Sequence, residues 1–105
     1  MMKRLAFRMK VFPGMEEEYQ KRHDAIWPEL NALLKDTGIS EYSIFLDSRD
    51  GSLFGVLYVT DSMRLDELPH HPIMKKWWTY MKDIMDTNQD HSPVSIPLKE
   101  VFYMP

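Results

Sequence analysis

The chain has 105 residues, a length for one domain with its own core, and folding at this size hides roughly two-thirds of the unfolded surface. Hydrophobic residues make up 44% and charged residues 28%, a globular composition that argues against a disordered chain. Lys plus Arg is 13 against 16 for Asp plus Glu, so the basic footprint of a nucleic-acid binder is missing, and the lack of cysteine excludes disulfides, thiolate metal sites and a cysteine nucleophile.

Basic residues interrupt the first ten positions too often for a signal peptide. The longest apolar stretch, Leu53 to Val59, is far short of the ~20 residues that span a bilayer. The expectation is a soluble, cytoplasmic protein with no membrane partner, forming one domain over residues 1–105.

Leu5, Phe7, Met9 and Val11 alternate with Ala6, Arg8 and Lys10, which predicts a strand with one buried face. Pro13-Gly14 ends it. Glu16, Glu17 and Glu18 then suit a helix N-terminus. Met15, Tyr19, His23, Ile26, Leu30 and Leu33 share one arc of that helix, which Pro28 should break or kink and Gly38 should stop. Tyr42, Ile44 and Leu46 mark one face of a second strand. Asp50-Gly51 is the sharpest turn signal, and Leu53 to Thr60 returns as a third strand, giving a hairpin. Asp61 to Pro69 has room for a helical turn. Pro72 suits the start of another helix, with Ile73, Trp77, Tyr80, Met81 and Ile84 as its apolar stripe. A polar loop follows from Thr87 to Pro97, of a length that is often functional, and Leu98 to Met104 is the expected last strand.

The order β-α-β-β-α-β is the α+β, ferredoxin-like arrangement, with two helices on one face of a four-stranded antiparallel sheet. The strands carry apolar residues on both parities: Leu53, Leu57 and Val59 on one, Phe54, Val56 and Tyr58 on the other. A face left in water alternates more cleanly. The pattern therefore predicts a homodimer packed through its sheet faces, a dimeric α/β-barrel arrangement that hides an apolar patch too large for a monomer.

Tyr19 and His23 stand four apart on one helix and both lie in its inward arc. A histidine there can give and take a proton near neutral pH, and the phenol adds a hydrogen-bonding hydroxyl. The plainer alternative is a packed tyrosine beside a core histidine bonded to the backbone. Trp77 and Trp78 are adjacent, so they point about 100° apart on a helix and only one can sit mid-stripe. One fills the core while the other suits a pocket wall, where aromatic faces accept the C–H groups of a sugar ring; both serve equally well as core or interface residues. Tyr42, if it faces the helices, needs a buried partner for its hydroxyl, from a ligand or from the backbone. His70, His71 and His91 read as solvated loop residues. No glycine-rich phosphate loop, G-x-S-x-G elbow or dinucleotide fingerprint is present.

These residues also carry a resemblance. The stretches Glu17-Glu18-Tyr19-Gln20-Lys21-Arg22-His23, Ile26-Trp27-Pro28-Glu29-Leu30, Tyr42-Ser43-Ile44-Phe45-Leu46-Asp47, Lys76-Trp77-Trp78-Thr79-Tyr80-Met81, Ser92-Pro93-Val94 and Glu100-Val101-Phe102-Tyr103-Met104-Pro105 closely resemble the L-rhamnose mutarotase family. The likeness runs nearly end to end, weakest from Asp61 to His71. It implies a dimeric ferredoxin-like enzyme, an isomerase that interconverts the α and β anomers of L-rhamnose without a cofactor or metal. It implies His23 as the proton donor, with Tyr19, Tyr42, Trp77 and Trp78 as sugar contacts. Two other readings remain: a cofactor-free or haem-dependent monooxygenase of the same fold, and a sugar-binding dimer with no turnover.

Overall fold

The computed structural model describes residues 2–105. In chain order the elements are β1 (Lys3–Lys10), α1 (Glu16–Asp24), α2 (Pro28–Asp36), β2 (Ile39–Asp47), β3 (Ser52–Val59), a short α3 (Ser62–Leu65), a 3₁₀ turn (Leu68–His70), α4 (Pro72–Met81) and β4 (Ile96–Leu98). The four strands form one antiparallel sheet in the order β2-β3-β1-β4. That order is the ferredoxin-like topology expected from the sequence.

Local chemistry explains the helix boundaries. α1 has Glu16, Glu17 and Glu18 in its first turn and Lys21, Arg22 and His23 in its last, so both ends complement the helix dipole. Pro28 disfavours a helical conformation at the residue before it, and Trp27 is extended, at φ −60° and ψ 132°. The break expected at Pro28 therefore divides this stretch into two helices, with Pro28 opening α2. Pro72 opens α4 in the same way, where the His71 side chain accepts from the Ile73 backbone N–H.

The core lies between the sheet and the helices. Met9, Val11, Tyr19, Leu30, Leu53, Met74, Trp77, Met81, Ile84 and Met85 form one buried cluster, and Ile39, Leu57 and Val59 form a second. Gly55 pairs across the sheet with Phe7, whose ring lies directly over it; a Cβ there would collide with the ring. The bare backbone lets Phe7 lie flat on the sheet, with its ring 6.1 Å from that of Tyr42.

β2 contains an irregularity with consequences for the site. Ser40 pairs with Tyr58 and Ser43 with Val56, so β2 takes three steps where β3 takes two. The extra residue is a β-bulge, and Glu41 within it adopts φ 50°. The bulge inverts the alternation of β2. Ile39 ahead of it and Tyr42, Ile44 and Leu46 beyond it thereby share the helix-facing side.

Two expectations need correction. The last strand spans only Ile96–Leu98, paired to Ala6–Arg8, rather than Leu98 to Met104. Pro97 offers the edge no N–H, and beyond Leu98 the chain leaves the ladder. It is held instead by Arg4, which donates to Glu100 at 3.0 Å and lies 4.2 Å over the Tyr103 ring. Tyr80 is 42% exposed and lies outside the core stripe of α4, where Met74 takes an inward place, and Ile84 is buried just past the helix end.

The sheet face away from the helices carries Phe45 and Phe54, a cross-strand pair, together with Val56, Ile96 and Leu98. Phe45, Ile96 and Leu98 are exposed within one chain, as are Val101, Phe102 and Met104 of the tail. Among the described residues no helix is long and apolar enough to cross a membrane.

Candidate active site

Between the helices and the sheet lies an open cleft of about 990 Å³, within the range of ligand sites. All five residues singled out from the sequence, Tyr19, His23, Tyr42, Trp77 and Trp78, line it. Phe7, Leu53 and Ile44 form part of its apolar floor.

His23 is fixed on three sides. Tyr19, one turn earlier on α1, stacks on the imidazole with ring centroids 4.3 Å apart and planes 26° from parallel. Trp77 of α4 meets the imidazole edge-on, at 5.4 Å and 89°. The ring Nδ1 lies 3.0 Å from the backbone carbonyl oxygen of Tyr19. A carbonyl oxygen only accepts, so Nδ1 carries a proton and donates it there. Nε2, on the far side of the ring, has no partner among the described residues and is not sealed from solvent. Burial pushes the His23 pKa below its ordinary value, against weaker raising effects from the Tyr19 carbonyl and Asp24.

The neighbouring polar groups also open into the cleft. Tyr19 is 7% exposed and Trp77 5%, yet the phenol hydroxyl and the indole N–H take no protein partner and neither is sealed. The Tyr19 pKa is pushed well up by burial and further by the nearby Tyr42 phenol. Tyr42 is 39% exposed as a whole residue because β2 is an edge strand, but its hydroxyl end sits deep in the cleft, where burial pushes its pKa up to about 12. The exposed part and the buried hydroxyl are different ends of one residue. Both phenols therefore keep their protons at neutral pH. Among the described residues, no group of three His, Asp or Glu side chains is placed to hold a metal ion.

Three residues that the sequence did not mark for the site support this wall. Trp27 packs edge-on against Trp77 at 5.1 Å and stacks on Tyr80 at 5.5 Å. Arg22, next to His23, ties α1 to the end of α4. Its Nε donates to Glu18 at 2.8 Å, and Nη1 donates to the Tyr80 carbonyl at 2.7 Å and to Asp83 at 2.9 Å. The guanidinium also lies 4.3 Å from the Tyr80 ring centroid. The signal for Arg22 was its i,i+4 spacing from Glu18; nothing in the sequence pairs it with Asp83.

Fold and cleft together define a ferredoxin-like α+β protein with one histidine set in an aromatic-walled pocket. Residues 4–104 match the family model for L-rhamnose mutarotase. An L-rhamnose mutarotase from Sinorhizobium fredii is 58% identical over 98% of this chain and 99% of its own, and one from Brucella anthropi is 59% identical over 97% and 96%. The crystal structure of an L-rhamnose mutarotase from Formosa agariphila superposes with a TM-score of 0.92 at 52% identity, covering 98% of this chain and 99% of that one. The chain belongs to the L-rhamnose mutarotase family. A protein from Jannaschia described as dimeric and ferredoxin-like, 16% identical with a TM-score of 0.59, shares the fold.

Proposed function

We propose that this protein is a cytoplasmic isomerase that interconverts the α and β anomers of L-rhamnose, without a cofactor, in the cleft between α1, α4 and the sheet. The observation that carries this reading is the match of residues 4–104 to the L-rhamnose mutarotase family. The geometry of the cleft supports it. Mutarotation opens the hemiacetal, turns about C1–C2 and recloses the ring. Opening takes a proton from the anomeric hydroxyl and delivers one to the ring oxygen. His23 delivers the proton to the ring oxygen and takes it back on closure, a role worth ~10²–10⁴-fold. Tyr19 and Tyr42 hold sugar hydroxyls through their retained O–H groups, and Trp77 and Trp78 supply apolar surface for the ring and the C6 methyl.

NMR saturation transfer tests the activity. Saturating the α-anomeric proton of equilibrated L-rhamnose should bleach the β signal in proportion to added protein. No transfer with L-rhamnose or related sugars, from a folded protein, would refute the reading.

The protein acts as a homodimer joined through its sheet faces. The exposed Phe45, Ile96 and Leu98 support this, because they make an apolar surface that one chain leaves in water. Sedimentation at micromolar concentration should give twice the 12.5 kDa chain mass; a stable monomer would overturn the assembly without touching the chemistry.

A further inference from the structure

The proton that reaches the ring oxygen has to come from somewhere, and the surroundings of His23 restrict the source. Nδ1 is committed to the Tyr19 carbonyl at 3.0 Å, so its hydrogen is not available to a ligand. One face of the imidazole is covered by the stacked Tyr19 ring, and Trp77 packs perpendicular to it. Nε2 alone remains open to the cleft. In the tautomer that the carbonyl selects, Nε2 carries a lone pair and no hydrogen. The neutral residue thus meets the sugar first as an acceptor.

We infer that Nε2 of His23 makes both proton transfers of ring opening, taking the proton of the anomeric hydroxyl and passing that same proton to the ring oxygen. This rests on the proposed mutarotase activity. The anomeric and ring oxygens are bonded to the same carbon, so one nitrogen within hydrogen-bond reach of either is close to both. As Nε2 takes the hydroxyl proton, the O–H electron pair becomes the new C1=O bond. The C1–O pair of the ring leaves with the ring oxygen, which is then protonated by Nε2–H. The histidine ends neutral, and no second acid or base, metal or redox partner is needed for the balance. Closure runs the same steps backwards.

The other titratable side chains lining the cleft are Glu16 and Asp24 at the two ends of α1, Lys35 in the last turn of α2, and Tyr19, Glu41 and Tyr42. β1, β3 and α4 contribute only apolar and tryptophan side chains to the lining. The two phenols stay protonated, Asp24 and Glu41 are exposed, and the half-buried Glu16 stands seven residues before His23, about 10 Å away along the α1 axis. Burial, which holds the imidazole neutral, is consistent with the shuttle.

The test is the pH dependence of enzymatic anomer exchange on the intact protein, with the spontaneous rate subtracted. A shuttle on neutral His23 requires a rate that is level up to about pH 8 and falls about tenfold per pH unit below the imidazole pKa. A rate that declines as pH rises through that pKa means the imidazolium is the acid and a carboxylate the base, and overturns the shuttle while leaving the mutarotase reading intact. Rescue of His23→Ala by added imidazole supplies an independent readout. Rescue should follow the concentration of free imidazole base; rescue that follows imidazolium overturns the proposal. Absence of exchange by the unaltered protein at every pH overturns the mutarotase reading and the shuttle with it.

Discussion

Replacing His23 with alanine should slow anomer exchange by ~10²–10⁴-fold while the fold survives. The activity loss follows from the chemistry: no other side chain in the cleft presents an unprotonated nitrogen to the sugar, and the Tyr19 and Tyr42 phenols keep their protons. The survival of the fold follows from packing. His23 is half-buried at the rim of the core, and its loss removes aromatic contacts with Tyr19 and Trp77 worth about 0.5–1.5 kcal/mol each. The substitution should also alter acid stability in a defined direction. The folded chain holds the His23 pKa below its ordinary 6.5. As pH falls through that value the unfolded chain takes up the proton first, so His23 withdraws stability on the acid side and costs nothing above it. Alanine removes that slope. Exchange followed by NMR, with circular dichroism at matched pH, checks all three points. Near-normal turnover would move the proton role to another group.

The repeating patterns of the sequence carried most of the fold, and the exceptions have physical causes. Period-two alternation marked β1, which keeps one side against the helices throughout, while β3 was marked by an apolar run on both parities after the Asp50-Gly51 turn. The i,i+4 spacing of Tyr19 and His23 sufficed to place both in the cleft, since α1 is regular. Tyr42 was assigned to the same face as Ile44 and Leu46, and so it is. What alternation could not show is that Ile39 shares that face, because the bulge at Glu41 inserts one residue and reverses the parity. Nothing in Ser40-Glu41-Tyr42 announces a bulge; its left-handed Glu41 is a consequence of pairing with β3. The last strand was misplaced for a related reason. Val101, Phe102 and Met104 read as strand residues because they are apolar, yet the ladder ends at Leu98 and leaves them exposed. The partners of Arg22 and the wall formed by Trp27 and Tyr80 depend on how α1 meets α4, a tertiary contact with no local pattern to reveal it.

Trp77→Ala should be the most destabilising single truncation in the site, because this side chain belongs to both the cleft wall and the main core. It is 5% exposed and belongs to the main core cluster with Leu30, Met74 and Met81. Its ring also meets His23 at 5.4 Å, Trp27 at 5.1 Å and Tyr80 at 5.7 Å, so removing it leaves a void bordered by three other rings. Truncating a buried tryptophan costs about 3–5 kcal/mol, a large part of the ~5–15 kcal/mol that holds a domain together. The melting temperature should fall on the order of 20 °C for a chain of this length; an unchanged melting curve would remove Trp77 from the core. Trp77→Phe separates packing from recognition. Phenylalanine keeps an aromatic edge for His23 and fills much of the void, so most of the stability should return. It has no indole N–H, the donor that opens into the cleft without a protein partner. If that donor binds a sugar hydroxyl, Trp77→Phe should melt near the native temperature yet bind L-rhamnose more weakly by about tenfold, the worth of one hydrogen bond. If stability and sugar affinity return together, the N–H faces water throughout the reaction and Trp77 serves as a wall alone.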